Sequence, residues 1–199
     1  MLDVGTARWL LIAHAIVAAA AVAATTHWCV WLWPFRRERY VKVQAARRFG
    51  IIAMSLYLVA TAGGMLVYPT YKARVKLEFL ASSKAVLDDA AARVHAGEEL
   101  RARAANQLPR ELDPGAVLRA TRDEPDRAGK VARWFDVKEH WVAVGIFLGL
   151  ATMAVLLAWD PKRDGRGPQT FVVLGALATC AITWLAAIVG LVTTATRSF

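Results

Sequence analysis

Four long apolar runs constrain this chain more than any other feature. They cover about residues 9–35, 49–68, 141–159 and 171–192, and no Asp, Glu, Lys or Arg lies within them. A hydrocarbon layer about 30 Å thick needs about 20 helical residues at a rise of about 1.5 Å each, and every run is close to that length or longer. With 57% hydrophobic and 21% charged residues, the composition is too apolar for an ordinary soluble domain. The sequence therefore predicts an all-α integral membrane protein, a four-transmembrane-helix bundle.

The ends of the runs carry the expected markers. Aromatic rings, which prefer the headgroup level, stand at several ends: Trp9, Trp33, Tyr68, Trp141 and Trp159. Pro69 after the second run and the pair Asp160 and Pro161 after the third predict helix stops. A cleaved signal peptide is the alternative for the first run, but its apolar core is too long and the lone Arg8 gives a poor basic leader.

The basic residues predict an orientation, because short cytoplasmic loops are enriched in Lys and Arg. Loop 36–48 contains Arg36, Arg37, Arg39, Lys42, Arg47 and Arg48, and loop 160–170 contains Lys162, Arg163 and Arg166. The terminal segments offer only Arg8 and Arg197. We therefore expect both loops in the cytoplasm and both termini outside, in a bacterial inner or cytoplasmic membrane. The net charge of +9 then reflects orientation, and we expect no nucleic-acid partner.

The polar segment 70–140 separates the second and third runs. It divides the chain into residues 1–69 with spans one and two, an extramembrane helical segment 70–140, and residues 141–199 with spans three and four. Apolar residues at helical spacing predict an amphipathic helix over about 82–106. A second helix over about 126–140 should lead into span three, with Pro109, Pro114 and Pro125 breaking the chain between them.

Histidines are the candidate cofactor ligands, because an ionisable residue inside a membrane span suggests function. His14 and His140 are expected on the same outer side, where two imidazoles from separate helices could ligate haem b. Asp136 would orient His140, and Gly63 and Gly64 would leave room for the porphyrin. The alternative is that each histidine simply bonds a neighbouring helix.

Other candidate ligands carry a weaker signal. His27 and Met54 form a possible His/Met pair, although a Met in an apolar helix usually belongs to the core. Cys29 and Cys180 lie inside apolar runs and are interpreted as small buried hydrophobes. The sequence contains no phosphate loop, dinucleotide fingerprint, zinc-type cysteine cluster or nucleophile elbow.

A second candidate site lies where segment 70–140 meets the membrane. Its members form an outer-face contact site: Tyr68, Tyr71, Lys72, Arg74, Glu78, Trp134 and Glu139. Arg74 and Glu78 are spaced for an ion pair on an α-helix, and Glu139 is expected to meet Lys72 or Arg74. Such a surface suits attachment of the outer helices, a quinone or lipid headgroup, or a protein partner.

The functional prediction is a non-catalytic accessory or assembly subunit of a larger membrane complex. Its partners would be the lipid bilayer and a membrane protein or a second copy of the chain. The alternative is a b-type cytochrome that passes electrons at the outer face through His14 and His140. A small transporter is disfavoured, because the four runs carry no Asp, Glu, Lys or Arg.

Overall fold

The protein is helical throughout the residues that its computed structural model describes, 2–40, 42–161 and 163–196, which contain no strand. Lys162 and Arg197, used above to predict orientation, lie outside these residues. Six α-helices follow in order: α1 Val4–Leu32, α2 Val43–Tyr71, α3 Ser83–Ala104, α4 Pro114–Thr121, α5 Glu124–Ala158 and α6 Gln169–Thr196. A 3-10 helix, Trp33–Arg37, continues α1, and a π-helix, Lys72–Leu80, continues α2.

Four helical stretches are long and apolar enough to cross a membrane, as predicted: Val4–Arg37, Val43–Leu80, Pro114–Ala158 and Gln169–Thr196. Their most apolar windows have mean hydropathies of 1.9 to 2.3, yet only 22 to 39% of the residues in those windows are buried. A helix in water would turn its apolar side to the core and a polar side outward. Here most of the apolar surface faces out, as in a bundle surrounded by lipid.

The four long helices form a closed ring. The most extensive contacts join α1 to α2 and α5 to α6, and further contacts join α1 to α6 and α2 to α5. Consequently α1 lies diagonally opposite α5. Near the two short loops the interior is a single apolar cluster that includes Trp28, Leu32, Phe35 and Leu156, and we call it the loop-side core.

At the other end the π-helix, α3, α4 and the first turns of α5 form a cap over residues 72–135. The cap has its own core of buried residues: Tyr71, Val75, Phe79, Leu80, Val86 and Ala128. Ser82 starts α3 by accepting a bond from Ala85 N at 3.2 Å, so the helix predicted at 82–106 is confirmed. The helix predicted at 126–140 is the first half of α5, which begins at Glu124. The short α4 was not predicted.

Two predicted details are wrong. Pro69 does not end α2, which continues to Tyr71 and directly into the π-helix. Proline removes one backbone bond, but the cap core buries Tyr71 and Val75 immediately beyond it and holds the helix together. Trp159 is only 2% exposed, because its ring packs edge-on against Phe35 and Tyr40 instead of facing headgroups.

Candidate functional site

His14 lies in the bundle against the two adjacent glycines of α2. Its Nδ1 donates a hydrogen bond to the carbonyl of Ala60 at 2.9 Å, because a carbonyl oxygen only accepts. A Cβ on Gly64 would lie 3.2 Å from the ring carbon Cε1, and one on Gly63 would lie 3.6 Å from Nδ1. The glycines therefore make room for the imidazole itself.

Lys138 of α5 reaches the same level of the bundle from the opposite corner. A Cβ on Gly190 of α6 would lie 3.3 Å from its Nζ, and the ammonium stands 4.9 Å from the centre of the Phe135 ring. The side chain is partly buried. Among the described residues, no carboxylate forms an ion pair with Lys138. Lys138 is not among the candidate site residues predicted from the sequence, and its direction toward α6 was not anticipated.

These groups form a polar layer between the two apolar cores. Along α2 the loop-side core includes Tyr57 and the cap core begins near Tyr68, with Gly63 and Gly64 between them. Along α5 Val142 packs on the first core and Phe135 on the second, and Lys138 lies between them. The polar layer thus consists of His14, Lys138 and the glycines at 63, 64 and 190.

His140, the second candidate haem ligand, is exposed. Its Nδ1 donates to the backbone carbonyl of Asp136 at 2.9 Å. The Asp136 carboxylate does not hold the imidazole and instead pairs with Lys76 of the π-helix at 2.5 Å. Two positions apart on a helix correspond to about 200°, so His140 and the inward Lys138 lie on nearly opposite faces. Within the described chain, the structure does not bring His14 and His140 into contact.

The predicted contact site separates into buried and exposed members. Tyr71 is buried and stacks on Phe135 with 4.1 Å between ring centres, and Tyr68 stacks on the same ring from 6.4 Å. Their role is to fasten α2 to α5 below the cap. Glu139 is partly buried and interacts with the Tyr68 phenol, whereas a pair with Lys72 or Arg74 is not found in the described structure.

Lys72, Arg74 and Glu78 are exposed on the π-helix. The expected pair between Arg74 and Glu78 is not among the ion pairs of the described residues. The ion pair that forms from this helix is the one between Lys76 and Asp136.

Trp134, the last predicted contact residue, is 55% exposed. It lines a shallow groove of about 310 Å³ on α5 together with Lys130, Arg133 and Val137. The spacing of these four residues places them on one face of the helix. Phe135, its neighbour in sequence, points the other way into the cap. This stripe is therefore not used by either core.

The loop end of the bundle contains hydrogen bonds and an ion pair that were also not predicted from the sequence. Arg47 donates from Nε to Leu156 O at 3.0 Å and from Nη2 to Trp159 O at 2.7 Å, which satisfies carbonyls at the end of α5. Arg166 pairs with Glu38 across the two loops at 2.6 Å. Tyr40 donates to the Gln169 amide oxygen at 2.5 Å. Desolvation and the nearby Glu38 raise the pKa of the Tyr40 phenol, which keeps it a neutral donor.

Too few of the remaining candidate ligands come together to form a metal site. In the described part of the chain, no group of three or more His, Cys, Asp or Glu side chains is placed to hold a metal ion. His27 packs on Phe49 with 5.0 Å between ring centres, and Met54 is buried in the loop-side core. Cys29 and Cys180 are partly buried and interact with each other across the interface of α1 and α6.

Comparisons of the chain with protein-family models, curated proteins and solved structures give no significant match.

Proposed function

We propose that the protein is a non-catalytic accessory or assembly subunit of a larger membrane complex. In this proposal the cap and the first half of α5 lie outside the membrane and contact the partner. The stripe Lys130, Arg133, Trp134 and Val137 supplies the contact. The observation that carries the proposal is the exposure of Trp134 and Val137, 55% and 38%, on a helix whose opposite face already fills the cap core.

The height of the stripe favours a protein partner over lipid headgroups. Headgroups add about 5–7 Å on each side of the hydrocarbon layer. At about 1.5 Å per residue, Val137 lies about 6 Å beyond Trp141, Trp134 about 10 Å and Lys130 about 16 Å. Most of the stripe therefore extends past the headgroups if Trp141 marks the hydrocarbon boundary. A Trp flanked by cations, one of them an Arg, is also a composition enriched in protein interfaces.

Substitution of the stripe tests the proposal. Trp134→Glu and Val137→Glu should each remove the partner from material purified in mild detergent and shift the complex to a smaller species on native gels. Ala96→Glu is the matched control, since Ala96 is an exposed apolar residue on α3 of the same cap. Wild-type protein that migrates as a single chain and retains no partner contradicts the proposal. So does a complex that stays intact in both stripe variants.

The b-type cytochrome is the alternative function. In its favour, both imidazoles donate from Nδ1 to a helix carbonyl, Ala60 and Asp136, which leaves Nε2 as the nitrogen available to iron. Against it, His140 is exposed and lies on nearly the opposite face of α5 from the inward Lys138. An optical spectrum of protein expressed with excess haem precursor distinguishes the two functions. A Soret band that disappears in both His14→Ala and His140→Ala favours the cytochrome, and protein that stays colourless after incubation with haem favours the accessory subunit.

A further inference from the structure

The two cysteines of the chain, far apart in sequence, meet at one interface. Cys29 Sγ donates to the Ala176 carbonyl at 3.4 Å, and Cys180 Sγ lies 3.6 Å from the hydroxyl of Thr26. Ala176 is one helical turn before Cys180, and Thr26 is about one turn before Cys29. Each thiol therefore contacts the turn that precedes the other cysteine, on antiparallel helices.

Small side chains bring these helices close together. The buried surface around the thiols is formed by Ala21, Thr25, Ala176 and Thr179, all 0 to 1% exposed. Small residues let helix backbones approach closely, and a disulfide needs Cα atoms about 4.4–6.8 Å apart. The Thr25 and Thr179 hydroxyls bond within their own helices, to Ala21 O at 2.9 Å and to Gly175 O at 2.8 Å.

The cysteines are reached from the outer surface of the bundle within its apolar zone. Thr26 beside Cys180 is exposed, and the Trp184 indole, 49% exposed, donates to its hydroxyl at 3.1 Å. Both cysteines lie inside apolar runs that contain no charged residue. Cys180 is eleven residues from the start of α6, and Cys29 is three residues before the end of α1. A reagent that reaches them must therefore dissolve in the hydrocarbon layer.

We propose that Cys29 and Cys180 form a reversible dithiol–disulfide pair within the membrane, oxidised by a lipid-soluble quinone. Each thiol loses its proton and its S–H bond, one S–S bond forms, and two electrons leave the sulfurs. The quinone accepts the two electrons and both protons and becomes the hydroquinone. The disulfide would join α1 to α6 covalently and fix one side of the ring of helices. This inference does not depend on the proposed accessory function.

Thiol counting in lipid tests the proposal. The full chain in phosphatidylcholine vesicles is treated with decyl-ubiquinone or, separately, with the water-soluble oxidant tetrathionate, then denatured and labelled with a maleimide polymer that shifts each free thiol on a gel. We expect both thiols to be lost together in monomeric protein, with a mass loss of two hydrogen atoms, and to return on reduction by dithiothreitol. The quinone should act at least about tenfold faster, because oxidation follows access to the thiol.

Single-cysteine variants provide the matched controls. Cys29→Ser and Cys180→Ser each retain one thiol, which should stay reactive to maleimide after quinone treatment, while the helical circular dichroism matches the wild type. The proposal is overturned if wild-type protein keeps both thiols, gains the mass of a quinone adduct, or loses its thiols only by forming dimers. Since these outcomes are read on the wild-type chain, the test stands even if a variant folds poorly.

Discussion

Gly145 of α5 lies directly against the phenol of Tyr57 on α2. A Cβ at this position would be 3.2 Å from Tyr57 Cε1 and 2.8 Å from Ile182 Cγ2, and closer still to the phenolic oxygen. That oxygen donates to Val142 O at 3.3 Å. One turn on, a Cβ on Gly149 would be 2.5 Å from Met54 Sδ. The two glycines thus form a small-xxx-small face that sets the distance between α2 and α5.

Replacing Gly145 should therefore loosen the bundle. We expect Gly145→Ala to lower the free energy of unfolding by about 1–3 kcal/mol, the usual cost of overpacking a filled site, even though Ala is the better helix former. Gly129→Ala is the control on the same helix, because a Cβ there meets nothing within 4 Å. It should be neutral or stabilising by up to about 1 kcal/mol. Unfolding followed by circular dichroism in detergent measures both, and equal effects would contradict the packing role of Gly145.

Arg47 should matter more to stability than its neighbour Arg48. Arg47 bonds the carbonyls of Leu156 and Trp159, whereas Arg48 is exposed. Bonds from a charged donor contribute about 1.5–3 kcal/mol, so Arg47→Gln should destabilise by about that amount. Arg48→Gln, with the same change in charge, should stay within about 0.5 kcal/mol. Thermal unfolding of both variants checks this, and an equal loss would show that only the charge matters.

The sequence predicted the spans well because their signal is local. Length, aromatic ends and the stop at Asp160 and Pro161 all depend on residues close to one another, and α5 ends at Ala158 as expected. Pro69 failed as a stop because tertiary packing of Tyr71 and Val75 continues the helix. The depth of Trp159 also depends on distant partners, Phe35 and Tyr40, which no local pattern contains.

The candidate site was predicted less well, because it depends on helix rotation. His14 was singled out as an ionisable residue in a span, but the residue of α5 that lies at its level depends on which face of α5 turns inward. Helical spacing around the inward Phe135 points to Lys138, three residues later, as the available signal. The π-helix Lys72–Leu80 was likewise not predicted, because the spacing of Arg74 and Glu78 was interpreted as that of an α-helix.

Lys138 is expected to lower stability in its present position. Its ammonium is partly buried beside Gly190, and no carboxylate of the described residues lies within ion-pair distance. The Phe135 ring and the more distant Glu139 offset part of the cost of burial. An unsatisfied buried polar group costs about 1–3 kcal/mol, and we expect the lower part of that range here. Lys138→Met keeps the length and removes the charge, so it should stabilise the protein by about that amount. Lys130→Met is the exposed control eight residues earlier on α5 and should change little. A Lys138→Met variant that is less stable than wild type would show that the charge supports the fold.

The last prediction concerns the orientation of the bundle across the membrane. Arg47 caps α5, Arg166 pairs with Glu38, and Arg36 and Lys42 lie over the rings of Trp33 and Trp31. Arg37, Arg39, Arg48 and Arg163 still remain on the same loop side. Arg8 is the basic residue of the described N-terminal segment. The excess of basic residues that keeps short loops in the cytoplasm therefore persists when the residues with structural contacts are left out of the count.

Alkaline phosphatase fused after Ala104 in the cap should be active in a bacterial host, and the same enzyme fused after Asp164 should be inactive. Green fluorescent protein at the two positions should give the reverse, and the opposite pair of results would place the cap in the cytoplasm and remove the outer-face contact site from the proposal.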